Sequence, residues 1–231
     1  MTIIKELLFP RRCPVCDRPA PWGEEICPGC RGKLVYLGHS YCLKCGKGLA
    51  REEWEYCGDC RRFPHAFDRG RSLYSYESAA GAIFRLKYQG RQEYADFFAE
   101  EWYRRMADTI DAWQIDMIVP VPLHKSRRRQ RGYNQAELLA KALGRRTGLP
   151  VSAKCVVRSR KTVSQKQLNR TERQNNLKNA FKINRVDVQL KKILVVDDIY
   201  TTGSTADAVA AVLKRAGAAK VYVLTLAAGT E

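Results

Sequence analysis

The chain has 231 residues, with 41 Lys and Arg against 24 Asp and Glu, a formal net charge of +17 and nine cysteines. It holds no run of eighteen apolar residues, which excludes a membrane-spanning helix. No secretory signal precedes the cysteines, so a two-part cytoplasmic protein is expected. The opening IIKELLF is too short for a signal h-region with a small-residue cleavage site and reads as a local helix. Next, Cys13, Cys16, Cys27, Cys30, Cys42, Cys45, Cys57 and Cys60 form four CxxC pairs at near-regular intervals. The two-residue gap lets both thiolates of a knuckle face one metal, and Pro14, Gly29, Gly46 and Gly58 suit the tight turns. Eight thiolates suffice for two tetrahedral Zn2+ sites, structural because no coordination position stays open. The spacing allows two pairings: the first four cysteines and then the last four, or a cross-braced set joining the first and third knuckles. A disulfide framework is the rival reading, disfavoured by the paired spacing and the missing signal. Residues 1–66 are too short and polar for a large core, so metal binding would supply much of this module's folding free energy.

Arg61 to Gly70, with Pro64, Gly70 and mixed charges, marks a boundary near Phe67, making residues 67–231 a second domain. The spacing of Tyr74, Tyr76, Phe84 and Tyr88 favours core packing over base stacking. A helix is expected from Ala95 to Trp113, with Phe98, Trp102, Met106, Ile110 and Trp113 on one stripe that packs as core or as an interdomain contact. His39, His65 and His124 are isolated, and only His124, beside Lys125 at a strand end, has a place that suggests a role.

The excess charge is local: Val121 to Arg185 holds eighteen Lys and Arg against two Glu. Two loaded zinc sites would bring the total to roughly +13, because each four-thiolate zinc adds about −2. The run is arginine-heavy, and guanidinium forks suit phosphate oxygens, so the ligand should be polyanionic, either a diphosphate or a nucleic-acid backbone. Within it, IVPVPLHKSRRRQRGYNQ, Ile118 to Gln135, reads as a strand, a Pro-rich turn and a basic loop, followed by a helix with Leu139, Ala140 and Leu143 on its apolar face. Cys155, beside Val156 and Val157, reads as a buried strand residue. Arg158 to Phe181 is polar and Gln/Asn-rich, with no apolar stripe before Leu177, and reads as a mobile surface loop.

The most informative stretch is ILVVDDIYTTGST, Ile193 to Thr205. Ile193 to Val196 form an apolar, β-branched run expected of a central parallel strand covered on both faces. Asp197 and Asp198 would then sit at its carboxyl end, where ligands bind in open α/β sheets. Carboxylates there can accept hydrogen bonds from vicinal sugar hydroxyls or help hold Mg2+. Thr201, Thr202, Gly203, Ser204 and Thr205 offer hydroxyls, backbone N–H groups and one residue without Cβ, a cradle for phosphate at a helix N-terminus. Val209, Val212, Leu213 and Ala216 repeat at helical spacing, and Gly217 supplies the stop.

Paired aspartates at a strand end followed by a TTG-type loop resemble the binding motif for phosphoribosyl diphosphate (PRPP) in type I phosphoribosyltransferases. The resemblance implies that Asp197 and Asp198 meet the ribose hydroxyls and lend electrostatic support to an oxocarbenium-like state, and that Mg2+ accompanies the ligand. Thr201 to Thr205 would hold the 5-phosphate. The family's diphosphate loop would fall at Lys125, Arg128, Arg131, Asn134 and Gln135. Its mobile lid would carry Thr162, Gln165, Leu168, Arg170, Arg173 and Asn176.

Taken with RLKYQG at Arg85 to Gly90, the VPVP and RRQRGYNQ segments, TxxQxxLxxxxRxxNLxxAF and VVDDIYTTGST, the four knuckles resemble the ComF family, ComFC- and GntX-like, along essentially the whole chain. That resemblance implies an α/β fold, a type I phosphoribosyltransferase-like parallel sheet flanked by helices and preceded by a double zinc ribbon. It implies work in DNA uptake during natural transformation, with single-stranded DNA, a helicase-like ATPase of the ComFA type and PRPP as partners. One departure matters: only five residues follow the last apolar run, Val221 to Leu226, leaving little there for the hood that recognises a base in transferases. Any nucleophile site is then expected from residues 67–95 or the zinc module. Three readings stand: a DNA-handling protein with a PRPP-type pocket, an active phosphoribosyltransferase with an unknown acceptor, and a non-catalytic adaptor for the ATPase.

Overall fold

The computed structural model describes residues 10–159, 177, 179–184 and 187–230. Its centre is strand β5, Lys192–Tyr200, whose Ile193, Leu194, Val195 and Val196 have no exposed surface. Fully burying such a side chain is worth about 1.5–3 kcal/mol, which explains a strand apolar on both faces. Around it lie β1 (Arg69–Ser75), β2 (Met117–Pro120) and β6 (Lys220–Ala228) in the order β1-β6-β5-β2, all parallel.

Alternation along β5 and β6 divides the core into two layers. Leu194, Val196, Leu224 and Leu226 pack with helices α2 (Tyr76–Tyr88), α3 (Tyr94–Trp113) and α5 (Gln135–Thr147). Ile193, Val195, Val221 and Val223 pack with α6 (Ser204–Arg215) on the other face. The expected stripe on α3 is buried: Phe98, Trp102, Met106, Ile110 and Trp113 all face the core, and Trp102 Nε1 donates to Thr225 O at 3.3 Å. Gly217, at φ +97°, follows the end of α6 in the left-handed region that glycine adopts without strain.

Two expectations need correction. Lys125 to Arg131 is not a loop but a short helix, α4 (Lys125–Arg131), whose N-terminus is capped by the His124 side chain accepting from Ser126 N. Of the four aromatics, only Tyr74 is core; Tyr76, Phe84 and Tyr88 are 41%, 52% and 56% exposed, because they project from the outer face of α2.

The cysteine-rich segment carries little regular structure, a 3-10 turn at Pro28–Cys30 and α1 (Gly58–Arg62). It is fastened to the edge of the sheet by backbone bonds: Leu37 N to Leu73 O at 2.9 Å, Ser75 N to Val35 O at 2.8 Å and Gly70 N to Lys44 O at 2.8 Å. The knuckle at Gly46 is pressed so closely on β1 that a Cβ there would lie 2.4 Å from Arg71 Cα. Cys42, Cys45 and Cys57 belong to the same buried layer as α6. Strands β3 (Val156–Arg158) and β4 (Phe181–Ile183) pair antiparallel as a small ribbon beside that layer, with Cys155 fully buried just before β3.

Candidate functional site

The two cysteine sets settle the pairing as successive. The sulfurs of Cys13, Cys16, Cys27 and Cys30 lie within 4.8 Å of one another, as do those of Cys42, Cys45, Cys57 and Cys60. Tetrahedral zinc with Zn–S bonds of about 2.3 Å requires sulfurs roughly 3.8 Å apart. Cys16 and Cys27 are 3.6 Å apart and Cys45 and Cys57 are 3.7 Å apart, so both sets fit the ion. Lys47, bonded to Asp59 at 3.0 Å, places a cation beside the second set, suited to an excess of thiolate charge.

Beyond Pro120, β2 no longer flanks β5, whereas β6 pairs with it as far as Tyr200. A cavity of about 880 Å³ opens over this notch at the carboxyl edge of the sheet. Asp197 and Asp198 form its floor and the loop at Thr201, Gly203 and Thr205 one wall; Lys87, Arg131 and Arg158 bring three cations to the carboxylates, and Arg127 is a fourth in the lining. Asp198 is 4% exposed and pairs with Lys87 Nζ at 2.5 Å. Asp197 Oδ1 accepts from Asp198 N at 2.9 Å. Burial pushes the Asp197 carboxyl up to about 6 despite the opposing pull of Lys87, Arg158 and Arg131. Burial also brings Arg158 down to about 10, aided by the like charge of Arg127 and opposed by Asp197. Cations this poorly hydrated are primed for an anionic ligand that returns the solvation they lack.

The turn after β5 is a glycine turn at a helix N-terminus. Gly203, at φ +79°, is the N-cap of α6 and makes no side-chain cap bond. Thr202 and Ser204 join hydroxyls at 2.9 Å, which organises the turn. Thr201, Gly203 and Thr205 reach the cavity; Thr202 and Ser204 stand behind them. In the basic segment Arg131 and Gln135 line the cavity and are bonded to each other, Arg131 Nη1 donating to Gln135 Oε1. Asn134 is internal: it donates to Val121 O at 3.0 Å and caps α5 by accepting from Ala136 N. Lys125 is exposed and Arg128 pairs with Glu137 at 3.1 Å, both outside the cavity walls. Gln165, Arg170 and Arg173, with Thr162, Leu168 and Asn176, lie outside the described residues.

Sequence reasoning missed several wall residues. Arg127 and Gln130 lie on the same helix as the expected contacts, and Lys87, though part of RLKYQG, carries no sequence signal that it reaches across to Asp198. Tyr76, Tyr88 and Tyr133 also line the cavity. Tyr133 donates to Leu86 O at 2.6 Å, and Arg131 lies 4.8 Å from the ring centre of Tyr88, tying α4 to the end of α2. His65, isolated in the sequence, bonds Asp207 at 2.7 Å in the fold.

An acidic pair and a glycine turn at the carboxyl edge of a parallel sheet, with a cysteine-rich module at its side, define a phosphoribosyltransferase-type domain joined to a zinc ribbon. Family models agree: residues 4–61 match the double zinc ribbon domain and residues 100–231 the phosphoribosyl transferase domain. Competence protein F of Haemophilus influenzae is 31% identical over 87% of this chain and 90% of its own length. DNA utilization protein YhgH of Salmonella typhimurium is 34% identical over 95% and 98%. Competence protein ComFC of Bacillus subtilis is 27% identical over 88% and 84%. The chain belongs to the ComF family. Among the described residues no helix is long and apolar enough to cross a membrane.

Proposed function

We propose that this protein serves DNA uptake or use by handling single-stranded DNA, and that its cavity binds PRPP with Mg2+. The observation that carries the ligand reading is the floor of Asp197 and Asp198 beneath four cations, beside a glycine turn at a helix N-terminus. In that pose the ribose hydroxyls face the aspartates, and the 5-phosphate lies against the N–H groups of Thr201–Thr205 and the positive end of α6. The diphosphate reaches Arg127, Arg131 and Arg158. Mg2+ prefers one or two carboxylates together with phosphate oxygens, a donor set that Asp197, Asp198 and the diphosphate supply.

The DNA reading is supported by the names of the relatives and by the rim of the same cavity. Tyr76 and Tyr88 line the cavity and Phe84 lies between them on α2, all three exposed and spaced by four or eight residues, and four residues of α-helix advance about 6 Å. Arg127 and the exposed Arg129 lie on neighbouring α4. Aromatic faces for bases beside guanidinium groups for phosphates suit a single strand. A second reading, transfer of ribose 5-phosphate to an acceptor, draws on Tyr76 and Tyr88, which line the cavity with the aspartates and offer a platform for a base. Docking of the zinc ribbons on a ComFA-type ATPase is compatible with both.

Calorimetric titration with Mg-PRPP tests the pocket. The double variant Asp198→Asn with Thr202→Val should lose binding while keeping both zinc ions, and unchanged affinity would sink the assignment. Release of diphosphate only when an acceptor is added would favour the transferase reading.

A further inference from the structure

The loop that carries Thr201 to Thr205 is held from behind by the second cysteine cluster. Tyr200, the last residue of β5, is 4% exposed, and it is packed in the same buried cluster as Cys45. Phe67 meets Tyr200 edge-on at 6.2 Å, and His65 stacks on Phe67 at 4.7 Å. His65 Nδ1 donates to Asp207 Oδ2 at 2.7 Å, and Ala66 N donates to Asp207 Oδ1 at 2.8 Å. Asp207 lies in the first turn of α6, and its own N–H bonds Gly203 O at 2.8 Å. Gly203 fills the remaining gap: a Cβ there would come within 2.4 Å of Tyr200 Oη and 2.8 Å of His65 Cε1.

The arrangement has a chemical consequence. A carboxylate in the first turn of a helix that receives phosphate repels the ligand unless it is engaged elsewhere. Here both oxygens of Asp207 are taken by donors from the segment that follows α1, the helix that carries Cys60. The donors come into position only while the second knuckle pair holds its shape, and four adjacent thiolates hold theirs through the metal.

We infer that His65 is a positioning residue linking the Cys42, Cys45, Cys57, Cys60 site to the phosphate loop, so that zinc retention there and ligand binding at the loop reinforce each other. The inference rests on the phosphoribosyl reading of the loop for its ligand, not for the link itself. Coupling between sites is reciprocal: if zinc favours the ligand, the ligand must favour zinc by the same factor. The first cluster, Cys13 to Cys30, has no such contacts with the loop among the described residues and serves as the internal control.

The test follows zinc transfer to a chromophoric chelator from the fully loaded chain, with and without saturating Mg-PRPP. One of the two zinc ions should be retained about 5-fold or more longer with ligand, and the other should be unaffected. The Cys13→Ser with Cys16→Ser variant, retaining the second site, should keep the protected phase. His65→Ala should abolish protection, and His65→Asn, whose amide can replace the Nδ1–H donor, should restore it. Hydrogen exchange of residues 201–207 gives a readout free of ligand: it should quicken in zinc-loaded His65→Ala and whenever the second site is stripped. Equal protection of both ions, or of neither while Mg-PRPP binds, would overturn the coupling. Should Mg-PRPP fail to bind the unmodified protein, the phosphoribosyl reading falls. Unchanged exchange at 201–207 after loss of the second zinc would then overturn the link as well.

Discussion

Replacing Asp197 with asparagine should make the protein more stable while disabling its pocket. Burial raises this carboxyl from 3.8 to about 6, which is a statement that folding disfavours its ionised form. The folded value exceeds the unfolded one, so below pH 4 the group costs nothing, and the cost grows as pH rises through 6. Two units at about 1.4 kcal/mol each give about 3 kcal/mol at pH 8 and about half that at pH 5. Asparagine retains the oxygen that accepts from Asp198 N and carries no charge to desolvate. Urea unfolding of both zinc-loaded proteins at pH 5, 6, 7 and 8 reads the difference through their midpoints at a common slope. The variant should gain stability over this range, increasingly with pH, and lose Mg-PRPP binding. A variant less stable than the parent at pH 8, or a difference independent of pH, would refute the reasoning.

Gly203→Ala should have the opposite effect. Its Cβ meets Tyr200 Oη at 2.4 Å in a backbone at φ +79°, so left-handed strain and overpacking together should cost about 2–5 kcal/mol, read by the same unfolding assay. Cys13→Ser with Cys16→Ser should remove one of two zinc ions and loosen the first ribbon, and a full zinc count by mass spectrometry would contradict the site. Arg127→Gln with Arg129→Gln should weaken oligonucleotide binding and flatten its dependence on the logarithm of salt by about 1.4, at about 0.7 for each lost phosphate contact. An unchanged slope would move the DNA path off α4.

What could be foreseen from the chain alone was what depends on neighbours in sequence. Ile193 to Val196 and the residues after them announce a buried strand, an acidic end and a glycine turn that opens a helix, because strand burial and helix-terminus geometry are local. The CxxC knuckles announce metal for the same reason, but which knuckles share an ion depends on how residues 10–60 fold back. Arg127 and Gln130 are hidden by the helix that replaces the expected loop, whereas Lys87 with Asp198, His65 with Asp207, and Arg158 over the aspartates from a separate ribbon are partners across long separations. Asp198, which a strand-edge position suggests is open to solvent, is covered by Lys87. Tyr76 and Tyr88 have the composition of core residues, and only the direction in which α2 meets the sheet turns them outward.

Fluorescence anisotropy of a labelled single-stranded oligonucleotide titrated with the zinc-loaded protein across a salt series, with and without Mg-PRPP, shows whether the pocket and DNA are joined. Binding that falls steeply with salt and shifts when Mg-PRPP is added is the predicted result. No binding at low salt would contradict that link and leave the cavity to be explained as a transferase site.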